Sequence, residues 1–195
     1  MAQPGELFVM ARVPEAIREA LLRVLADAGM DTTLGRALYP PRNWHQSLSD
    51  LHPAAAREAM RQACAGLTAH AFELRVDRLE SSGSSAGRIH FQFVPSTGKP
   101  DGLATLLTGL RERLHAQGII EAQGHRAHVT VSYNARQGIE PLRIEPVSWL
   151  VDTVELVEAA GHGKDYRYDV VEAWPLLPPL LPPLPPPPTQ LGLLG

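Results

Sequence analysis

The chain has 195 residues, 44% of them hydrophobic and 20% charged, which is the composition of an ordinary soluble globular protein, most simply of one domain. Its formal net charge of −3 argues against a general polyanion-binding surface but leaves room for a local basic pocket for one phosphate. A single cysteine, the lack of a signal-peptide pattern and the lack of a long apolar stretch favour a cytoplasmic protein with no disulfide framework and no membrane partner.

The first half of the chain predicts alternating strands and helices. Leu7 to Met10 form an apolar run typical of a buried strand, and apolar residues at helical spacing mark the helices. The predicted elements are a strand over 6–13, a helix over 14–28, a loop over 31–42, a strand over 43–49, a helix over 53–66 and a strand over 72–77. Residues 81–86 are rich in Ser and Gly and predict a turn.

The second half begins with the same order of elements. We predict a strand over 88–94, a helix over 100–117, a strand over 127–133, and two further strands over 147–158 and 166–174. From Pro175 onward the chain is dominated by Leu and Pro, which cannot form a helix or a central strand. Residues 177–195 are therefore predicted to be a disordered or polyproline tail outside the domain.

One short pattern occurs at the same place in both halves. His45-Gln46-Ser47 recurs as His128-Val129-Thr130, and the distance from Phe8 to His45 equals the distance from Phe91 to His128. On a strand, residues i and i+2 point to the same face, so each copy presents an imidazole beside a hydroxyl. Two halves related by an approximate two-fold axis would bring the two pairs together across a cleft.

Two imidazoles and two hydroxyls in one space suit chemistry on a phosphate. A neutral imidazole accepts a proton, a protonated one donates a proton to a leaving oxygen, and hydroxyls donate hydrogen bonds to phosphate oxygens. A single His-x-Thr on a strand is common and usually without function. The repeat of the pattern at matched positions favours the functional interpretation, and the chemistry requires neither a metal nor a cofactor.

Four residues near the motifs are candidate substrate contacts. Arg42, Arg126 and Tyr133 lie close to the motifs in sequence and are candidates to bind phosphate or stack on a base. His90 lies on the strand predicted beside the motif strands and is a further candidate. Ordinary surface placement is the alternative for each of these four residues.

Three other residues of reactive or aromatic type favour structural roles. His125 lies three residues before His128, but no cysteine or carboxylate cluster is expected to complete a metal site with them. Trp44 faces away from its neighbour His45 and is interpreted as a core anchor. Cys64 falls on the apolar side of a predicted helix and is interpreted as core rather than nucleophile.

The motif segments carry a family resemblance. Residues 41–48 (PRNWHQSL), 125–131 (HRAHVTV) and 166–176 (YRYDVVEAWPL) resemble the 2H phosphoesterase superfamily, in particular the LigT-like bacterial RNA 2′,3′-cyclic phosphodiesterases, also called 2′-5′ RNA ligases. The resemblance covers about residues 6–176. Ser47 stands where Thr is commoner, Ala127 replaces a frequent Pro, and residues 49–52 replace the usual apolar-Gly turn. These departures leave every catalytic group in place and leave the substrate preference open.

The resemblance implies an α+β, bilobal LigT-like fold. Two pseudo-two-fold-related antiparallel sheets, flanked by helices, would form one domain over 1–176, with lobes at about 1–80 and 87–174 that exchange strands. The implied reaction is metal-independent hydrolysis of 2′,3′-cyclic phosphate ends of RNA or cyclic nucleotides to 2′-phosphates. Apart from the resemblance, the chain is expected to be a monomer. His45 would be the proton donor and His128 the acceptor, or the reverse, and Ser47 and Thr130 would bind the phosphate. The alternatives are 2′-5′ RNA ligation in the same site and a non-catalytic module that binds phosphorylated nucleotides or RNA ends.

Overall fold

A computed structural model describes residues 2–83, 88–122 and 125–180. The helices are α1 (Glu15–Asp27), α2 (Met30–Leu34), α3 (Arg57–Ala65) and α4 (Asp101–Ala116). The strands are β1 (Leu7–Arg12), β2 (His45–Ser47), β3 (Phe72–Ser82), β4 (Ile89–Val94), β5 (Val129–Ala135), β6 (Leu142–Val151), β7 (Thr153–Ala160) and β8 (Arg167–Pro175). Among the described residues, no helix has the length and apolar character needed to cross a membrane.

The strands form two antiparallel sheets of four strands each. The first sheet has the order β2-β1-β7-β8 and the second the order β5-β4-β3-β6. The predicted α+β class with two antiparallel sheets is therefore confirmed. Each half of the chain contributes strands to both sheets, because β3 joins the second sheet while β7 and β8 join the first.

Each sheet carries one motif strand at its edge. β2 pairs only with β1 and β5 pairs only with β4 in the strand order, and in each case a helix separates the two paired strands along the chain. The unit of strand, helix and motif strand therefore occupies equivalent positions in the two sheets. This equivalence gives the internal repeat of the sequence a structural counterpart.

The core lies between the sheets and the helices that cover them. The apolar run at Leu7–Met10 is buried, and the four leucines of α4 that recur at helical spacing have no exposed surface. Full burial of one leucine side chain contributes about 2 kcal/mol. The apolar stripe predicted for α4 therefore stabilises the second sheet, which it covers. These leucines are Leu103, Leu106, Leu110 and Leu114.

Two parts of the chain differ from the sequence-based elements. The predicted loop over 31–42 contains most of α2 and two short 3₁₀ turns, which are too short to show an apolar period. The single strand predicted over 147–158 is two strands that separate at Asp152, where the chain passes from β6 in one sheet to β7 in the other. Because apolar residues continue on both sides of Asp152, the apolar pattern by itself predicts one continuous strand.

β6 also begins at Leu142, five residues before the predicted start, and therefore includes Pro146. Proline normally argues against a strand, but β6 is at the edge of its sheet, where the missing N–H is tolerated.

Leu177 and Pro178 pair with the segment just before β3. The Leu177 N–H donates to the Ala69 carbonyl and the Ala71 N–H donates to the Leu177 carbonyl, both at 2.8 Å. The next residue, Pro178, accepts a hydrogen bond from Nδ1 of His70 at 2.7 Å. Residues 181–195 of the predicted tail and 84–86 of the predicted turn lie outside the described residues.

Candidate active site

The two motif strands position the four predicted residues. His45 opens β2 opposite Arg12, and Ser47 lies opposite Met10 on β1. Thr130 lies opposite Gln92 on β4. His128 comes immediately before β5, so it is held by the chain that enters the strand rather than by the strand itself.

The two histidine rings are held by the same local contact. Nδ1 of His45 lies 2.7 Å from the Asn43 carbonyl oxygen, and Nδ1 of His128 lies 3.0 Å from the Arg126 carbonyl oxygen. A carbonyl can only accept, so Nδ1 carries the proton in both neutral rings. Nε2 is therefore the nitrogen left to accept or donate a proton at either ring.

Both histidines face one small cavity. His45, Ser47 and His128 line a space of about 230 Å³, together with Phe8 and Tyr168. Three of the four residues predicted from the motifs are therefore brought together at one place. This volume is on the scale of a phosphate group with part of a sugar.

Thr130 stands apart from the other three. It is buried and does not line the cavity. Its hydroxyl accepts a hydrogen bond from Nε2 of Gln92 at 3.3 Å. The two motifs are thus equivalent in position but not in the exposure of their hydroxyls, and Ser47 is the hydroxyl that the cavity offers to a ligand.

Gln46, the middle residue of the first motif, ties the two motifs together. Its Oε1 accepts from the His128 N–H at 2.7 Å, and its Nε2 donates to the Arg126 carbonyl at 2.9 Å. The side chain is fully buried. A single amide therefore fixes the backbone that carries His128 relative to the strand that carries His45, a role that the sequence pattern did not reveal.

Burial favours the neutral form of both rings in the free protein. It lowers the pKa of His45 to about 4, with the Asn43 carbonyl opposing the shift and the charge of His128 adding to it. The pKa of His128 is also lowered, mainly by burial. A protonated ring in this cavity consequently needs a negative charge beside it.

Aromatic rings form the wall behind His45. The His45 ring lies 5.1 Å from the Phe8 ring and 5.2 Å from the Tyr168 ring, measured between centroids. The Tyr39 hydroxyl donates to the Tyr168 hydroxyl at 3.0 Å. The rings of Tyr133 and Tyr166 also contact that of Tyr39, so all four tyrosines of the chain form one cluster. The sequence patterns did not point to Tyr39 or to Tyr168, and only Tyr168 lies in the concentration of aromatic residues near the end of the domain.

The four candidate substrate contacts differ in whether they face the cavity or make internal hydrogen bonds. Arg42 donates through Nη2 to the Lys164 and Tyr166 carbonyls at 2.6 and 3.2 Å, and Arg126 donates through Nη2 to Glu80 and Gln92, both at 2.9 Å. Both arginines are therefore occupied by internal contacts. Tyr133 lines the cavity, and the His90 ring packs edge-on against the Tyr133 ring at 5.3 Å.

A larger cavity adjoins the first on the Tyr133 side. It has a volume of about 730 Å³ and is lined by Arg36 and Arg136 as well as by Tyr39, Tyr133 and Tyr166. Tyr133 borders both spaces. The combination of cations with aromatic faces suits a nucleotide that extends from a phosphate in the smaller cavity.

Carboxylates lie beside His125, contrary to the expectation from the sequence. Nε2 of His125 is 3.5 Å from Oδ1 of Asp50 and 3.7 Å from Oε2 of Glu121. These two acids come from segments that are distant in sequence and meet only in the fold. His125 and Asp50 also line the cavity of His45 and His128.

Trp44 and Cys64 have the structural roles predicted for them. Trp44 is fully buried, and its Nε1 donates to the Tyr39 carbonyl at 2.9 Å. Burial, with a smaller contribution from Glu172, raises the pKa of the Cys64 thiol to about 12. The thiolate is therefore scarce at neutral pH, as expected for a core cysteine.

Comparison with known proteins supports the fold. No protein-family model and no curated protein sequence matches the chain. Escherichia coli LigT superposes with a TM-score of 0.70 at 20% identity, over 90% of this chain and 99% of LigT. A solved phosphoesterase gives 0.64 at 21% identity over 90% and 99% of the two chains, and the TT0787 protein of Thermus thermophilus gives 0.66 at 18% over 87% and 97%. The predicted LigT-like fold is confirmed.

Proposed function

We propose that this chain is a 2H phosphoesterase that hydrolyses 2′,3′-cyclic phosphate ends of RNA or of nucleotides to 2′-phosphates. The observation that carries the proposal is the pair of histidines at one cavity, each anchored through Nδ1 to a carbonyl two residues earlier. The likeness in fold to LigT adds support, since LigT has been crystallised with phosphate and with 3′-AMP.

The reaction uses the two Nε2 atoms on opposite sides of the phosphorus. Nε2 of His128 takes a proton from water as the water oxygen bonds to phosphorus, and the bond from phosphorus to the 3′ oxygen breaks in line. Nε2 of His45 gives its proton to that departing oxygen. Ser47 donates a hydrogen bond to a non-bridging oxygen, where charge redistributes. The Thr130 hydroxyl accepts from Gln92 and keeps its own proton, so it donates in the same way to a phosphate oxygen that reaches it.

The protonation states fit a substrate that is an anion. Burial holds His45 neutral in the free protein, and a phosphodiester in the cavity supplies the negative charge that favours the protonated ring. The reverse assignment, with His45 as base and His128 as acid, uses the same atoms. Either assignment requires that one of the two histidines is protonated and the other neutral when the substrate is bound.

The test is steady-state hydrolysis of 2′,3′-cyclic AMP in EDTA, with 2′-AMP as the product measured. We expect turnover by the wild type and a loss of about 100-fold or more in kcat for His45→Ala and for His128→Ala. His115→Ala is the matched control, because His115 is exposed on α4, away from the cavity, and should leave kcat unchanged. Equal rates in the wild type and both site variants would refute the assignment.

The same assay separates the alternatives. Tight binding of 2′-AMP or 3′-AMP without any turnover of the cyclic substrate would indicate a binding module. Ligation opens the same cyclic phosphate through the same groups, with an RNA 5′-hydroxyl in place of water as the nucleophile and the 3′ oxygen again as the leaving group. It is measured by adding an RNA with a free 5′-hydroxyl and following the joined product.

A further inference from the structure

Two carboxylates and an imidazole meet at the rim of the histidine cavity. One ligand atom from each of Asp50, Glu121 and His125 lies within 4.8 Å of the other two. Nε2 of His125 is 3.5 and 3.7 Å from the carboxylate oxygens. Two ligands of one tetrahedral Zn²⁺ ion, each at 2.0–2.2 Å, lie about 3.3–3.6 Å apart. The spacing around His125 is therefore close to that of ligands around a single ion.

Nε2 of His125 is an unsatisfied polar atom. It is inaccessible to solvent and has no hydrogen-bond partner among the described residues. Its distances to the two carboxylates exceed those of ordinary hydrogen bonds. Buried polar atoms in folded proteins are normally paired, and a cation between the imidazole and the carboxylates would pair this one.

Hydrogen bonds already hold both carboxylates in place. Oε1 of Glu121 lies 2.5 Å from Nε2 of His52, and Oε2 of Glu121 accepts from the Asp50 N–H at 2.7 Å. Oδ2 of Asp50 accepts from the Ala122 N–H at 2.6 Å. The Glu121 side chain is only 4% exposed. Metal-binding carboxylates are oriented by hydrogen bonds of this kind from surrounding groups.

The ligand atoms indicate the class of ion. Two carboxylate oxygens with one imidazole nitrogen suit Zn²⁺, whereas Mg²⁺ prefers oxygen ligands alone and soft ions such as Cu⁺ prefer sulfur. Three protein ligands leave a fourth position for water or another oxygen. Asp50 and His125 also line the cavity of His45 and His128.

We propose that Asp50, Glu121 and His125 bind one Zn²⁺ ion in the wall of the cavity that holds the two motif histidines. His52 is a positioning residue that orients Glu121. This site is separate from the proposed hydrolysis, because the two histidines act there without a metal. Hydrolysis in EDTA tests the histidine pair, and Zn²⁺ binding without substrate tests the cluster.

The experiment is calorimetric titration of the EDTA-stripped, full-length protein with Zn²⁺ alone. We expect one ion per chain, with affinity reduced at least 10-fold by His125→Ala and by Glu121→Gln. His52→Ala should weaken binding by about 10- to 100-fold, as loss of an orienting contact does. His115→Ala should leave it unchanged, and circular dichroism confirms that each variant is folded.

Co²⁺ provides a second readout that does not depend on stability. Tetrahedral Co²⁺ absorbs strongly in the visible range, and this absorption should appear in the wild type and be lost in His125→Ala. Three results would overturn the proposal: no stoichiometric Zn²⁺ binding, binding unaffected by His125→Ala, or binding abolished instead by His45→Ala. Tighter binding of Mg²⁺ than of Zn²⁺ would overturn the assignment of the ion.

Discussion

At the scale of single residues, the carbonyls of Asn43 and Arg126 decide which nitrogen of each histidine is available. Both carbonyls accept a hydrogen bond from Nδ1–H, so Nε2 is the nitrogen that can exchange a proton in both rings. The sequence pattern identified the histidines, since alternation along a strand is a local property. It did not identify Gln46 as the link between the motifs, because the partners of this side chain lie 80 and 82 residues away.

The first prediction concerns the pH dependence of hydrolysis. The mechanism needs one proton on the histidine pair, and burial lowers both pKa values below the ordinary value of 6.5. Above that pH the pair of the free protein loses its proton, so kcat/KM should fall about tenfold per pH unit as pH rises. Its maximum should lie on the acidic side of pH 6.5, and the profile of kcat should be shifted to higher pH by the bound phosphate. A kcat/KM that stays level from about pH 6 to 8 would contradict a two-histidine mechanism.

The second prediction concerns the amide of Gln46. Gln46→Leu leaves the His128 N–H and the Arg126 carbonyl without their buried partner, which should cost about 1–3 kcal/mol in the free energy of unfolding. Because the backbone of His128 also loses its anchor, kcat should fall more than KM rises. Urea unfolding and steady-state kinetics measure the two effects. Gln117→Leu, at an exposed position after α4, is the control. Equal free energies of unfolding and equal kcat values for the two variants would contradict the role of Gln46.

At the scale of elements, packing overrides local preference at several points. β2 is only three residues long and would be marginal alone, but its pairing with β1 and the Gln46 contacts hold it in place. Pro146 is accepted within β6 because that strand lies at a sheet edge. Helix α4 was predicted within one residue at each end, because a long stripe of buried leucines gives a clear helical period.

The third prediction uses two glycines of α4. A Cβ added at Gly102 would overlap Cβ of Phe72 on β3, whereas one at Gly109 would meet only Cδ1 of Leu67 at 3.5 Å. Gly102→Ala should therefore destabilise the protein by about 1–3 kcal/mol through overpacking. Gly109→Ala should stabilise it by up to about 1 kcal/mol, because alanine has the higher helix propensity.

Urea unfolding of the two variants side by side tests this packing. Helix propensity alone predicts the same sign for both substitutions. Stabilisation by Gly102→Ala would mean that α4 does not lie as close to β3 as these contacts require.

At the scale of the whole molecule, the two sheets create the site by placing their motif-bearing edges next to one cavity. β2 and β5 belong to different sheets, and the cavity of about 230 Å³ is lined from both. Burial of His45 between the sheets therefore links the stability of the entire fold to pH. Because folding lowers the pKa of His45, acid rather than base should destabilise the folded protein.

The fourth prediction is a loss of stability in acid that depends on His45. Folding lowers the pKa of His45 from 6.5 to about 4, so between these values the unfolded chain binds more protons than the folded one. The contribution of His45 to the free energy of unfolding is then fully present above pH 6.5. It is lost as pH falls toward 4, by about 3 kcal/mol. Urea unfolding at about pH 7 and 4.5 should show a smaller loss for His45→Gln than for the wild type. Identical losses would show that His45 titrates normally in the folded protein.

The amino-acid sequence alone predicts the repeated order of strand, helix and motif strand, and the positions of His45, Ser47, His128 and Thr130 in it. These features depend on periods of two or 3.6 residues and on matched spacing, which are local properties of the chain.

Tertiary packing sets which strands share a sheet. It also places Ser47 rather than Thr130 at the cavity and brings four tyrosines together behind His45. The same packing brings Asp50 and Glu121 beside His125. Asp50 and Glu121 are 71 residues apart in sequence, and the Asp50 N–H donates a hydrogen bond to the Glu121 carboxylate. Such contacts depend on where the chain crosses between sheets, as it does at Asp152, and no local pattern specifies that path.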